Sequence, residues 1–112
     1  MVALLVVGLA ACSGSDGGAP KDQWVQYEEA LEDLLDGNYT EAATKFETVA
    51  SSTLSPVLSQ VATLRLGDAL FFQGRYAEAA EVFREFLIQF SNSPDVGHAA
   101  YMKGLCYLAK MP

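Results

Sequence analysis

The 112-residue sequence is poor in cations, histidine and cysteine. It has seven Lys and Arg against 14 Asp and Glu, one His and two Cys, and its formal net charge is −7. A nucleic-acid-binding protein needs a basic stripe to displace phosphate counterions, so we expect no nucleic acid partner. Two cysteines are too few for a disulfide framework. Nor does any hydrophobic run approach the ~20 residues of a transmembrane helix.

Residues for catalysis or metal binding are equally scarce. The single histidine, His98, has only Asp95 as a nearby acid in the sequence, and we interpret it as a polar residue at the mouth of a helix. Cys106 lies in an apolar helical stretch without a base and is predicted to be a small buried residue. We therefore expect a protein that is not an enzyme and that binds no metal or other cofactor.

The N-terminus is typical of a bacterial lipoprotein. An apolar run ends in Leu9-Ala10-Ala11-Cys12, which resembles the lipobox that precedes a diacylated cysteine. This pattern predicts a signal peptide over residues 1–11 and a diacylglycerol and an N-acyl chain, such as palmitate, on Cys12. The alternative is an ordinary cysteine beside a conventional cleavage site. The basic segment of a normal leader is missing, since the first charge is Asp16, which indicates a misplaced start codon or a fragment.

Residues 12–21 are predicted to be the lipidated cysteine and a flexible tether, because the segment is short, polar and rich in Gly and Ser. Several acyl chains make a stable membrane anchor. Ser13, in place of Asp after the cysteine, indicates the outer membrane by the sorting rule of enteric bacteria. We expect a lipid-anchored protein on the periplasmic face of that membrane.

The rest of the chain repeats with a shift of 37 residues. The shift aligns Gly37-Asn38-Tyr39 with Gly74-Arg75-Tyr76, and it places Phe46 on Phe83. The pattern resembles the tetratricopeptide repeat (TPR) and predicts an all-α, TPR α-solenoid. We assign TPR 1 to residues 22–56, TPR 2 to 57–94 and helix A of a truncated TPR 3 to 95–112. A repeat array needs a polar terminal repeat, so we expect the full protein to continue.

Local signals refine this prediction. Asp22 is a possible N-cap of the first helix, and Asn38 with Glu41 has capping-box spacing. Small residues are predicted where helices cross closely, so that Gly67→Leu would disrupt the stacking. These small residues are Ala30, Ala42, Gly67, Ala79 and Gly104.

The first helix of each such repeat lines the concave groove. Extrapolating its inward positions gives a groove rich in aromatic residues with a single cation, made of Trp24, Tyr27, Leu31, Val61, Leu64, Arg65, Asp68, Phe72, Tyr101 and Leu105. An extended peptide with aromatic or aliphatic anchors could bind there, with Arg65 pairing a carboxylate. The alternative is that the rings are repeat core and that Arg65 pairs with Asp68.

One stretch carries a family resemblance. The segment from Phe83 to Phe90, continuing through Ser93-Pro94-Asp95-Val96 to Tyr101-Met102-Lys103-Gly104-Leu105, resembles the BamD (ComL) lipoprotein family of the outer-membrane β-barrel assembly machinery. Leu54-Ser55-Pro56 resembles a Pro corner of that family, whereas Ser51-Ser52-Thr53 departs from its aromatic-Pro pair. The resemblance covers residues 12–112 and about the first half of the family's repeats.

The resemblance implies a non-enzymatic scaffold that works with a BamA-type β-barrel insertase and with other lipoproteins of the machinery. It also implies that the N-terminal repeats recognise C-terminal signals of unfolded outer membrane proteins. The alternative is a periplasmic TPR adaptor of the Tol-associated cell-division coordinator type, with no role in barrel assembly. That family usually has a coiled coil before its repeats and no lipid anchor.

Overall fold

The computed structural model describes residues 20–111, and these residues form helices and no strand. The helices are α1 (Lys21–Leu35), α2 (Tyr39–Ser52), α3 (Pro56–Phe72), α4 (Tyr76–Gln89) and α5 (Val96–Lys110). The predicted all-α fold is therefore confirmed. The predicted signal peptide, Cys12 and the tether up to residue 19 lie outside the described residues.

Neighbouring helices pack in pairs along the chain. Because the connections are short, successive helices run antiparallel. The first helices of successive pairs also touch, α1 against α3 and α3 against α5. Helix α3 contacts all four other described helices, which explains why it is apolar around most of its circumference. This arrangement is a TPR-like helical solenoid.

Two glycine turns close the helix pairs. Gly37 and Gly74 have φ of +87° and +88°, a left-handed conformation that residues with a side chain rarely adopt. The amides of Asn38 and Arg75 donate to the carbonyls of Asp33 and Leu70, at 2.8 and 2.9 Å. This is the Schellman pattern of helix C-termini. Both turns lie at one end of the solenoid, which we call the turn end.

The opposite end, which we call the junction end, contains the start of α1 and the connections at residues 53–55 and 90–95. Ser55 is the N-cap of α3, and its hydroxyl accepts a 3.2 Å hydrogen bond from the Leu58 amide. Pro56 follows as the first residue of α3, where its missing N–H is not needed. Pro56 therefore opens the second helix pair, whereas the repeat boundaries predicted from the sequence place it at the close of the first.

The predicted side-chain caps of the first two helices do not form. Helix α1 begins at Lys21 with Pro20 at the N-cap, so Asp22 lies inside the first turn. Asn38 is the N-cap of α2, as predicted, but makes no side-chain cap bond. The backbone amide of Asn38 already donates to the carbonyl of Asp33. The pKa of the Asp33 carboxyl is lowered mainly by Lys45 and, to a smaller extent, by the side chain of Asn38.

In the main core, a small residue of one helix packs against an aromatic ring of the next. Gly67 lies under the Phe83 ring so closely that a Cβ built on it falls 2.6 Å from two ring atoms. The predicted close crossing at Gly67 is thus confirmed. The prediction for Gly104 is wrong, because a Cβ built there has no described atom within 4 Å. At Gly67 the neighbour comes from the next helix, α4, whereas Gly104 lies on α5, the last helix that the structure describes.

Candidate peptide-binding face

The predicted groove residues lie on α1, α3 and α5, in stripes three or four residues apart. Such spacing places side chains on one side of a helix. The stripes are 24, 27 and 31 on α1, then 61, 65, 68 and 72 on α3, then 101 and 105 on α5, and His98, which is not among the predicted groove residues, lies one turn before Tyr101. We call this surface the first-helix face. Polar contacts between the three helices show that the stripes meet.

Asp68 is the centre of these contacts. Its side chain is almost completely buried, with the residue only 4% exposed, and each carboxylate oxygen has its own partner. Arg65 Nη1 donates to Oδ2 at 2.7 Å, one turn earlier on α3. His98 Nε2, on α5, lies 2.9 Å from Oδ1. A buried carboxylate needs hydrogen-bond partners, and Asp68 finds one on α3 and one on α5, so it links the two helices.

The donor in the hydrogen bond between His98 and Asp68 is assigned from the chemistry of the two groups. A carboxylate only accepts hydrogen bonds, so the Nε2 of His98 is the donor. The imidazole also stands edge-on to the Phe83 ring, with the ring centroids 6.3 Å apart and the planes at 82°. The same Phe83 covers Gly67, so His98 is positioned by the packing of α4 as well as by Asp68.

Arg65 connects this cluster to α1 through Tyr27. Burial alone would lower the pKa of the Arg65 guanidinium, but the hydrogen bond with Asp68 and the neighbouring Tyr27 hydroxyl more than offset it, and the pKa is raised. Burial raises the pKa of the Tyr27 hydroxyl, and Arg65 opposes that shift. Arg65 therefore stays a cation in contact with both α1 and α3, and its half-exposed guanidinium has donors beyond the one given to Asp68.

The aromatic residues of the face divide into packed and exposed rings. Trp24 meets Tyr27 edge-on at 5.8 Å, and Tyr27 meets Phe46 of α2 at 5.6 Å, so both predicted rings also serve the core. Phe72 and Tyr101 are exposed. Phe72 is stacked on Tyr39 with centroids 5.5 Å apart, which fixes the ring while leaving an accessible face.

The remaining predicted groove residues are aliphatic. Leu64 is only 2% exposed and belongs to the main core, so its prediction as a groove residue is wrong. It points between α3 and its neighbours because it precedes the stripe position Arg65 by one residue, about 100° around the helix. Leu31, Val61 and Leu105 are half-buried and line the face only in part.

The sequence leaves two alternatives for Arg65, and the contact with Asp68 is the one observed. The role of His98 is not predicted from the sequence, where Asp95 is its only nearby acid. A signal for it exists: the 37-residue shift that aligns Gly37 with Gly74 also aligns His98 with Val61 and Trp24, two predicted groove positions. The repeat therefore identifies His98 as a residue of α5 that lies on the first-helix face.

A model of the outer membrane lipoprotein family, YfiO, matches residues 20–112. The chain belongs to the YfiO family. The match spans all the described helices of this YfiO-family protein, including the three that build the first-helix face. No curated protein matches the chain.

Three further properties of this YfiO-family chain concern metal binding, membrane spanning and its buried thiol. Within residues 20–111, no three His, Cys, Asp or Glu side chains are grouped so that they could hold a metal ion. None of the helices described is long and apolar enough to cross a membrane. Cys106 is fully buried, as predicted, and burial raises the pKa of its thiol, so its thiolate is disfavoured.

Proposed function

We propose that this protein is a lipid-anchored scaffold of the outer-membrane β-barrel assembly machinery. The observation that carries the proposal is its membership of the YfiO outer membrane lipoprotein family across all described helices. The proposal includes acylation of Cys12 as the anchor, no catalytic activity and no cofactor. Its partners are a BamA-type insertase, other lipoproteins of the machinery, and unfolded outer membrane proteins.

In this proposal the first-helix face binds the C-terminal segment of an unfolded barrel protein. Such a segment presents an aromatic side chain and a carboxylate. Phe72 and Tyr101 offer exposed rings as apolar anchors, and Arg65 offers N–H donors for the carboxylate. Because the hydrogen bond to Asp68 holds the guanidinium in place, little conformational entropy is lost when a ligand binds it.

The electrostatics of the face favour modest affinity. Asp68 already balances the charge of Arg65, so a peptide carboxylate approaches a pair with little net charge. The rings must then provide most of the binding free energy, and Arg65 mainly the orientation. Release of a client to the next component is easier from such a site than from one dominated by a free cation.

The first experiment is capture of the natively lipidated full-length protein from detergent-solubilised outer membranes, followed by mass spectrometry. The Cys12→Ala variant is the control, because it removes the proposed acylation site. Co-purification of a large β-barrel insertase with the wild type is the expected result. Recovery of Tol or peptidoglycan-synthesis proteins without a barrel protein would support the cell-division adaptor instead.

The peptide site has its own test. We expect Arg65→Ala to weaken binding of a fluorescent peptide with an aromatic residue and a free carboxylate at its C-terminus by about tenfold, since one charge-assisted contact contributes ~1.4 kcal/mol. The matched control is Arg84→Ala. This variant breaks an i,i+3 ion pair with Glu81 whose two side chains are exposed on the solvent side of α4. An amidated peptide should bind wild type and Arg65→Ala alike. Equal weakening by both variants would contradict a role for Arg65.

A further inference from the structure

One end of the described structure has few charged residues, although the protein as a whole is acidic. Residues 48–64 and 86–94 contain no Asp, Glu, Lys or Arg, although the chain has a net charge of −7. These two segments include the connection at 53–55 and all of the connection at 90–95 except Asp95. The charged residues nearest to them at that end are Lys21, Asp22 and Asp95, one cation and two acids.

The turn end has the opposite character. Asp33, Asp36 and Glu41 surround the Gly37 turn, and Arg75 and Glu78 surround the Gly74 turn, so that with Lys110 at the end of α5 acids still outnumber cations at this end. An acidic surface is repelled by an anionic membrane. Of the two ends, only the junction end can approach lipid headgroups without that penalty.

Exposed apolar side chains lie within the uncharged segments. Leu54, in the connection between α2 and α3, is 96% exposed, and Val57 in the first turn of α3 is exposed beside it. Ile88, near the end of α4, is exposed as well, and so is Val25, which lies outside these segments near the start of α1. Around them stand hydroxyl and amide side chains such as those at positions 91 and 92. Apolar tips among neutral hydrogen-bonding groups suit the headgroup region of a bilayer.

The chain connection places this end nearest to the proposed anchor. Helix α1 starts at Lys21, at the junction end, and eight residues separate Lys21 from Cys12. Eight residues span at most about 28 Å. Acyl chains on Cys12 would therefore keep the junction end close to the membrane surface, and this step rests on the proposed function.

We infer that the junction end is a membrane-contact surface that inserts Leu54 and Val57 into the lipid interface. Lipid anchoring holds the protein at the bilayer, and the two side chains then select which end faces it. The helices consequently point away from the membrane. The turn end, with its acidic residues, is turned toward the periplasm, and the first-helix face stays open to peptides along its side.

The test uses the full-length lipidated protein on vesicles of phosphatidylethanolamine and phosphatidylglycerol. Leu54→Cys carries an environment-sensitive fluorophore, and quenching by nitroxide-labelled lipids reports its contact with the bilayer. The matched control is Leu35→Cys, a similarly exposed leucine (84%) at the turn end. Labelling is selective because Cys106 is buried and Cys12 is acylated in this preparation.

We expect several-fold stronger lipid quenching at position 54 than at position 35. Mass spectrometry and flotation of the same sample report the anchor separately. Flotation with equal, weak quenching at both positions would overturn the contact surface and leave the anchor intact. Failure to acylate and float would overturn both.

A second readout distinguishes lipid from protein at this surface. If a label at position 54 is shielded from iodide in water but is not reached by lipid nitroxides, a protein covers the surface and the inference is wrong. With Leu54→Ser and Val57→Ser combined, Trp24 of the junction end should lose its quenching by brominated lipids, whereas Leu35→Ser should leave it unchanged. Trp24 is the only tryptophan of the 112-residue sequence, so once any tryptophan outside it is replaced by phenylalanine the signal needs no label.

Discussion

At the scale of single residues, the Phe83 ring leaves no room for a side chain at Gly67. We expect Gly67→Ala to lower the free energy of unfolding by about 1–3 kcal/mol, because its Cβ would lie 2.6 Å from the Phe83 ring and force it to move. The Phe83 ring is also packed against His98, so the shift would disturb the first-helix face. Urea denaturation followed by far-UV circular dichroism measures the change.

Gly104 offers the matched control, one repeat later in the sequence. A Cβ at Gly104 meets no described atom within 4 Å, and alanine is the better helix former by about 0.5–1 kcal/mol. Gly104→Ala should therefore be neutral or slightly stabilising. If both variants destabilise the protein equally, the clash with the Phe83 ring does not cause the loss at Gly67.

At the scale of helices, the two glycine turns set where each pair reverses. Gly74→Ala should destabilise the protein by about 1–2 kcal/mol, since alanine must adopt the left-handed conformation with φ of +88°. Thermal unfolding measures this effect. Gly97→Ala, in the first turn of α5 without positive φ and without a nearby atom, is the control and should not lower the midpoint. A similar loss in both would contradict the backbone argument.

The pairing of α1 with α2 has a pH-dependent component. Lys45 Nζ lies 2.7 Å from Asp33 Oδ2, and this hydrogen bond holds the pKa of Asp33 below its ordinary value. A carboxyl with a lowered pKa stabilises the fold above its unfolded pKa, and that stability is lost as the pH falls through the folded pKa. Lys45→Met should reduce the unfolding midpoint at neutral pH and progressively less in the acid range.

Lys21→Met is the control for this pair. Lys21 is an exposed lysine at the start of α1 that has no ion-pair partner among the described residues. Its removal should give nearly the same difference from wild type at every acidic pH. If the Lys45→Met difference also stays constant across the acid range, the pair does not contribute through Asp33.

Local patterns predict the helices better than they predict the partners of each side chain. The Gly-x-Tyr turns follow from backbone geometry that only glycine meets easily, and they recur with the repeat. The pairing of Asp68 with His98 joins residues 30 positions apart, so the sequence around either residue does not indicate it. Asn38 and Glu41 have the spacing of a capping box. The backbone amide of Asn38, however, donates to the backbone carbonyl of Asp33. Such competition is decided in three dimensions.

At the scale of the whole molecule, the solenoid has contacts mainly between neighbouring helices. Stability in such an array is a sum of local and nearest-neighbour contributions, so one end can open while the other stays folded. Helix α5 contacts only α4 and α3 among the described helices. It is held against α3 and α4 by the Asp68–His98 bond and by the burial of Ala99, Met102 and Cys106.

Thiol labelling of Cys106 makes the opening of α5 measurable. In a full-length Cys12→Ser protein, Cys106 is the single thiol of the 112-residue sequence, and it reacts only when α5 leaves the core. We expect Asp68→Asn to raise the labelling rate about tenfold or more, since it removes a charged hydrogen bond that contributes ~1.5–3 kcal/mol. Gly37→Ala, at the far end of the array, should destabilise α1 and α2 and leave the rate nearly unchanged. Equal acceleration by both variants would mean that the helices open as one cooperative unit, with the first-helix face assembled or lost as a whole.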